Sequence, residues 1–143
     1  MGSRSDLLPT AQTGPGSIAQ SSPVHILWLY NRDRQPNISH PLVRHFKAHH
    51  TELWLMDPQT LPFQELVNFD LLVVEEEVGE PASSLRLVEH VRLHSYVPMV
   101  VIANTTDSEW AIQLLEAGAD AVLTTQVRPE VIVAHCQAIL RRW

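Results

Sequence analysis

Five short apolar runs, separated by stretches of helical period, constrain the fold of this chain more than any other feature. They cover residues 24–30, 51–56, 70–75, 97–103 and 121–124. The third and fourth are almost unbroken in Leu, Val, Ile and Met, the composition of strands covered on both faces. Each change of period is marked by Pro, Asn, Asp or Gly, as expected where strand gives way to turn or helix. Helices are predicted between the runs. Ser39 with Pro41 opens one over 39–49, a short one lies between Pro58 and Val67, and Pro81 opens one that reaches about residue 93. Proline is tolerated in a first helical turn because the N–H it lacks would be unpaired there. Thr106 or Asp107 can cap a fourth helix that stops at Gly118, and Pro129 starts a fifth. In that last helix Ile132, Val133, Cys136, Ile139 and Leu140 recur at the spacing of one buried stripe. Five strand-helix units imply a doubly wound α/β sheet, whose crevice lies at the carboxyl ends of the strands.

A chain of 143 residues suits one domain. Residues 1–23, with Gly2, Pro9, Gly14, Pro15, Gly16 and Pro23 among Ser and Gln, are predicted to form a disordered tail, and 24–143 the domain. Hydrophobic residues make up 45% and charged residues 18%, enough apolar surface for a packed core. A net charge of −6 argues against nucleic-acid binding by this domain, which would require clustered Lys and Arg. The single cysteine, Cys136, excludes an internal disulfide and a cysteine-based zinc site, and its helical stripe makes it a core thiol. No apolar run approaches the ~18–20 residues of a membrane span, and 1–23 lacks the apolar core of a secretory signal. The expected location is cytoplasmic, with no membrane contact.

The last third of the chain narrows this further. Val97-Pro98-Met99-Val100-Val101-Ile102-Ala103, then Leu115-Glu116-Ala117-Gly118-Ala119-Asp120-Ala121-Val122-Leu123-Thr124, then Pro129-Glu130, resembles the fourth strand through last helix of response-regulator receiver domains. The resemblance extends over roughly residues 24–142. It implies a flavodoxin-like, CheY-like five-stranded parallel sheet in the order 2-1-3-4-5, with helices on both faces.

Receivers of this family phosphorylate an aspartate at the end of the third strand. They use a magnesium ion held by an acidic pair after the first strand, a hydroxyl after the fourth and a lysine after the fifth. Such a site works by electrostatics, with oxygen ligands for the metal and donors for the charge that develops on the phosphoryl oxygens. Carried over position by position, the acidic pair falls on Tyr30 and Asn31, the acceptor on Glu75, the hydroxyl on Ala103 and the lysine on Thr125. All five differ from the family pattern, and Gln126 replaces the proline that usually follows the lysine. The resemblance therefore implies a degenerate phosphorylation pocket with no catalytic residue, no resident metal and no cofactor. A one-residue shift of the first strand would instead bring Asp33 toward the pocket as a weak metal ligand.

Several residues admit two roles. Glu75 could act as a permanent negative charge in place of a phosphoryl group, but beside Glu76 and Glu77 it reads more simply as a solvated carboxylate. His45 with His49, and His90 with His94, each share a helix face at i,i+4, as zinc or pH-sensing pairs do; without a third ligand they read as solvated side chains. Trp110 stands in the first turn of the fourth helix while Ala111, Ile112 and Leu115 can face the core. It either marks a protein contact together with Val122 and Val131, or folds back over the domain's own edge. The function expected is that of a phosphorylation-independent interaction module. It would dimerise or dock a protein partner through the fourth-helix, fifth-strand, fifth-helix surface, with an output domain possible beyond Trp143. The alternative is a small-molecule sensor using the vacated crevice, although the loops at 31–37 and 104–107 carry no Gly-rich phosphate cradle. No nucleophile and base pair supports an enzyme.

Overall fold

Side chains alternate across a strand, so a strand covered on both faces sends odd and even residues into two separate cores. The computed structural model, which describes residues 23–29, 46, 51–61, 63–76 and 81–142, shows this division. Five parallel strands, β1 (Val24–Leu29), β2 (Thr51–Met56), β3 (Leu71–Glu75), β4 (Met99–Ala103) and β5 (Ala121–Thr124), form one sheet in the order β2-β1-β3-β4-β5. Among the described residues, three α-helices of more than one turn pack on it: α1 (Pro81–His94), α2 (Ser108–Ala117) and α3 (Pro129–Arg142). Ile26, Trp28, Leu71, Val73, Val100 and Ile102 join Ile132, Val133, Cys136 and Ile139 of α3 on one face. Leu27, Leu29, Leu72, Val74, Met99 and Val101 join Val88 and Val91 of α1 and Leu114 of α2 on the other. Cys136 is buried, as its stripe requires.

The expected strand order and fold class hold, with differences at the ends of elements. Strands β3 and β4 begin at Leu71 and Met99, one and two residues later than the apolar runs suggest. The short helix expected between Pro58 and Val67 is two 3-10 turns, Pro58–Thr60 and Phe63–Asn68. Pro62 in the sequence between them has no N–H for a continuous ladder. Asp107 caps α2 as expected, its side chain accepting from the backbone N–H of Glu109 at 3.0 Å. The phase of α2 differs: Leu114 is fully buried, whereas Ile112 and Leu115, expected to face the core, are each 45% exposed. Trp110, Leu114 and Ala117, at i,i+4,i+7, form the buried stripe instead. The tail at 1–22, Tyr30, Asn31, Asp33, the 31–37 loop, His45, His49 and Glu77 lie outside the described residues, as does the helix at 39–49 except for buried Phe46.

At the amino ends of the strands, one arginine ties α1 to the turn between α2 and β5. Arg92 donates to the Gly118 carbonyl from Nη2 at 2.6 Å, to the Val97 carbonyl from Nη1 at 2.9 Å, and pairs with Asp120 at 3.3 Å. Gly118 has φ +130°, and an added Cβ would lie 2.9 Å from Cγ and Nε of Arg92. Gly118→Ala is therefore expected to cost about 1–3 kcal/mol of stability, measured by urea denaturation, because it combines backbone strain with displacement of a multiply bonded guanidinium.

Candidate functional site at the carboxyl ends of the strands

Strand β3 delivers two consecutive glutamates to the carboxyl end of the sheet, and their parity sends them to opposite faces. Glu75 continues the Leu71 and Val73 side, toward Trp28; Glu76 continues the Leu72 and Val74 side, toward α1 and α2. Glu76 is only 4% exposed. Burying a carboxylate demands hydrogen-bond donors, and three separate segments supply them. Its Oε2 accepts from Ser84 Oγ of α1 at 2.7 Å and from Trp110 Nε1 of α2 at 2.7 Å. Its Oε1 accepts from the backbone N–H of Asn104 at 3.1 Å. The backbone adds two ties, from Glu76 N to the Ile102 carbonyl at 2.9 Å and from Asn104 Nδ2 to the Glu76 carbonyl at 2.7 Å.

Glu75 is left in the opposite condition. It is half-buried, and its Oε1 has no hydrogen-bond partner among the described residues. The Trp28 indole N–H, on the same face and fully buried, has none either. Burial pushes the Glu75 carboxyl up from 4.5 to about 7, and the nearby indole offsets only part of that. A solvated glutamate run does not describe this pair, since Glu76 is buried against α1 and α2 and Glu75 is half-buried beside Trp28. Glu76 was missed by sequence reasoning, although the alternation Leu72, Val74, Glu76 pointed to it.

Of the carried-over pocket positions, Glu75, Ala103 and Thr125 sit at the carboxyl ends of β3, β4 and β5. Ala103 is 1% exposed and its carbonyl accepts from Thr125 N at 3.2 Å. For Trp110 the geometry is that of folding back: it is half-buried, lies against the α1 and α2 core, and its N–H is taken by Glu76. Val122 is half-buried against that same core, and Val131 half-buried on α3. Rather than simply being solvated, His90 stacks on Phe63 with ring centroids 4.4 Å apart, and His94 lies tilted against the same ring at 5.0 Å. No group of three or more His, Cys, Asp or Glu among the described residues is placed to hold a metal ion. No helix among them is long and apolar enough to cross a membrane.

A doubly wound sheet of this order, with its crevice at the carboxyl ends of the strands, is the CheY-like fold. Solved structures bear out the likeness. A two-component response regulator from Clostridium difficile is 18% identical, covers 83% of this chain and 97% of its own, and superposes with a TM-score of 0.65. A CheY-like receiver domain protein from Methanospirillum hungatei is 17% identical over 85% of this chain and 96% of its own, TM-score 0.67. A CheY-like protein from Pseudomonas aeruginosa is 15% identical over 81% and 92%, TM-score 0.62. At these identities the likeness is one of fold. No protein-family model and no curated protein sequence matches the chain.

Proposed function

We propose that this chain is a phosphorylation-independent receiver-like module of a two-component-type system, acting through protein contacts on its α2, β5 and α3 face. The observation that carries the reading is the altered pocket: the carried-over acceptor position holds Glu75, Ala103 lacks the hydroxyl and Thr125 the cation that phosphoryl transfer requires, and the neighbouring Glu76 carboxylate is taken up by internal donors. A surface that is not switched by phosphate works by being permanently presented. On the proposed face Ile112 and Leu115 are exposed apolar side chains of α2, and Val122 of β5 and Val131 of α3 are half-buried. Contact through this face would make the domain a homodimer or the docking partner of another signalling protein in the cytoplasm, without catalytic activity of its own.

A second reading, ligand sensing in the crevice, is favoured by two buried polar atoms, Trp28 Nε1 and Glu75 Oε1, that have no partner among the described residues. Such atoms often mark a place for a water or ligand.

Mass spectrometry and sedimentation separate these readings. After incubation with a small phosphodonor and magnesium, the denatured mass is expected to be unchanged; a labile phosphoryl adduct abolished by Glu75→Gln would overturn the proposal. Native spectra carrying a non-covalent mass excess, lost in Trp28→Phe, would favour the sensor. In a sedimentation concentration series, Leu115→Glu is expected to weaken self-association by about tenfold or more, with unchanged circular dichroism. Wild type that remains monomeric at high concentration would exclude the homodimer form.

A further inference from the structure

We infer that Glu76 is a positioning residue: a built-in clamp that holds the β4–α2 loop and the first turn of α2 in one arrangement, so that the α2 face is set by the protein itself. The inference rests on the proposed reading of that face as the working surface.

The loop needs such a device. Every residue from Asn104 to Glu109 is exposed, so packing does little to fix it. Its own ties are short-range, from Asp107 N to Thr105 Oγ1 at 3.1 Å and from Glu109 N to Asp107 Oδ1 at 3.0 Å. Longer-range anchoring passes through Glu76, which grips the loop at its start through Asn104 and the helix at its first turn through Trp110. Ser84 gives the same carboxylate a foothold on α1.

The residue type matters as much as the position. A carboxylate offers two acceptor oxygens and no donor, and the Asn104 N–H and the indole N–H can only donate. A glutamine of the same shape would satisfy one and turn its own NH₂ toward the other. An aspartate is one methylene too short to span both. Charge-assisted bonds are also the stronger kind, which suits a clamp that works without a ligand.

Amide hydrogen exchange and the Trp110 indole N–H resonance, compared between wild type, Glu76→Gln, Ser84→Ala and Trp110→Phe, test the clamp. In Glu76→Gln, exchange over residues 104–112 is expected to rise by about tenfold or more while the amides of β1 and α3 stay protected, and the indole resonance to move upfield. Glu76→Asp is expected not to restore protection. Should Glu76→Gln fail to fold, Trp110→Phe and Ser84→Ala, which each remove one donor, are expected to raise local exchange roughly threefold or more. Wild-type exchange in all the folded variants would overturn the inference, as would a rise spread evenly over the whole domain. Sedimentation of the same variants keeps the two ideas apart. Local loosening with unchanged association would leave the clamp standing and sink the reading of the face, and weakened association without local loosening would sink the clamp.

Discussion

Trp28→Ala is expected to remove about 3–5 kcal/mol of stability, the usual range for truncating a fully buried tryptophan. Trp28 heads the fully buried side chains by volume and has no exposed surface. It lies on β1, between β2 and β3, and meets Phe46 edge-on with ring centroids 6.3 Å apart. Truncation would open a cavity on the sheet face covered by α3, at a strand that cannot move without disturbing two neighbours. Domains of this size are stable by only about 5–15 kcal/mol, so the loss would be a large share of the total. Urea denaturation with Trp28→Phe as control isolates the cause. Phenylalanine keeps most of the volume and removes an indole N–H that has no hydrogen-bond partner within bonding geometry among the described residues, so its cost is expected to stay near about 1–2 kcal/mol. An alanine variant within about 1 kcal/mol of wild type would refute this account of the core.

Glu75 is expected to make the protein less stable as pH rises through the neutral range. Its folded carboxyl holds a proton up to about 7, against 4.5 when unperturbed, because burial disfavours the charged form. Below pH 4.5 both states are protonated and Glu75 contributes nothing to the difference. Between 4.5 and 7 the folded state binds more protons than the unfolded one, so stability falls with pH; above about 7 the penalty is complete. Because the side chain is only half-buried, solvent screening reduces that penalty to something on the order of 2 kcal/mol. Glu75→Gln is then expected to be close to wild type at pH 4.5 and more stable by that amount at pH 8. Parallel pH profiles for the two proteins, read from urea midpoints, would show that burial of Glu75 carries no such cost.

The fold was legible because its physics is periodic. Apolar runs of four to seven residues, punctuated by Pro81, Gly118 and Pro129, predicted where the sheet and the last three helices stand. The short helix after β2 was misjudged because its apolar residues suit either period and the breaker, Pro62, falls inside it. The phase of α2 was misjudged because Leu114 and Leu115 are adjacent and only the packing decides between them. At the site, local composition misled: three consecutive glutamates suggest water, yet strand parity carries Glu76 under α2 and Glu75 against Trp28. The indole of Trp110 suggested an apolar handle, and its polar edge, which needs an acceptor when buried, was the better guide.

The partners of Glu76 also bear on the order in which the chain assembles. Ser84, Asn104 and Trp110 stand 8, 28 and 34 residues along the sequence, so the full set of bonds closes only when β3, α1, β4 and α2 are all in place. The contacts that span 28 and 34 residues must first overcome loop-closure entropy. Interactions absent from the folding transition state leave the folding rate almost untouched and slow escape from the native basin. If the Glu76 bonds close only after the folding transition state, Glu76→Gln is expected to speed unfolding while leaving the folding rate nearly unchanged, as stopped-flow denaturant kinetics would show.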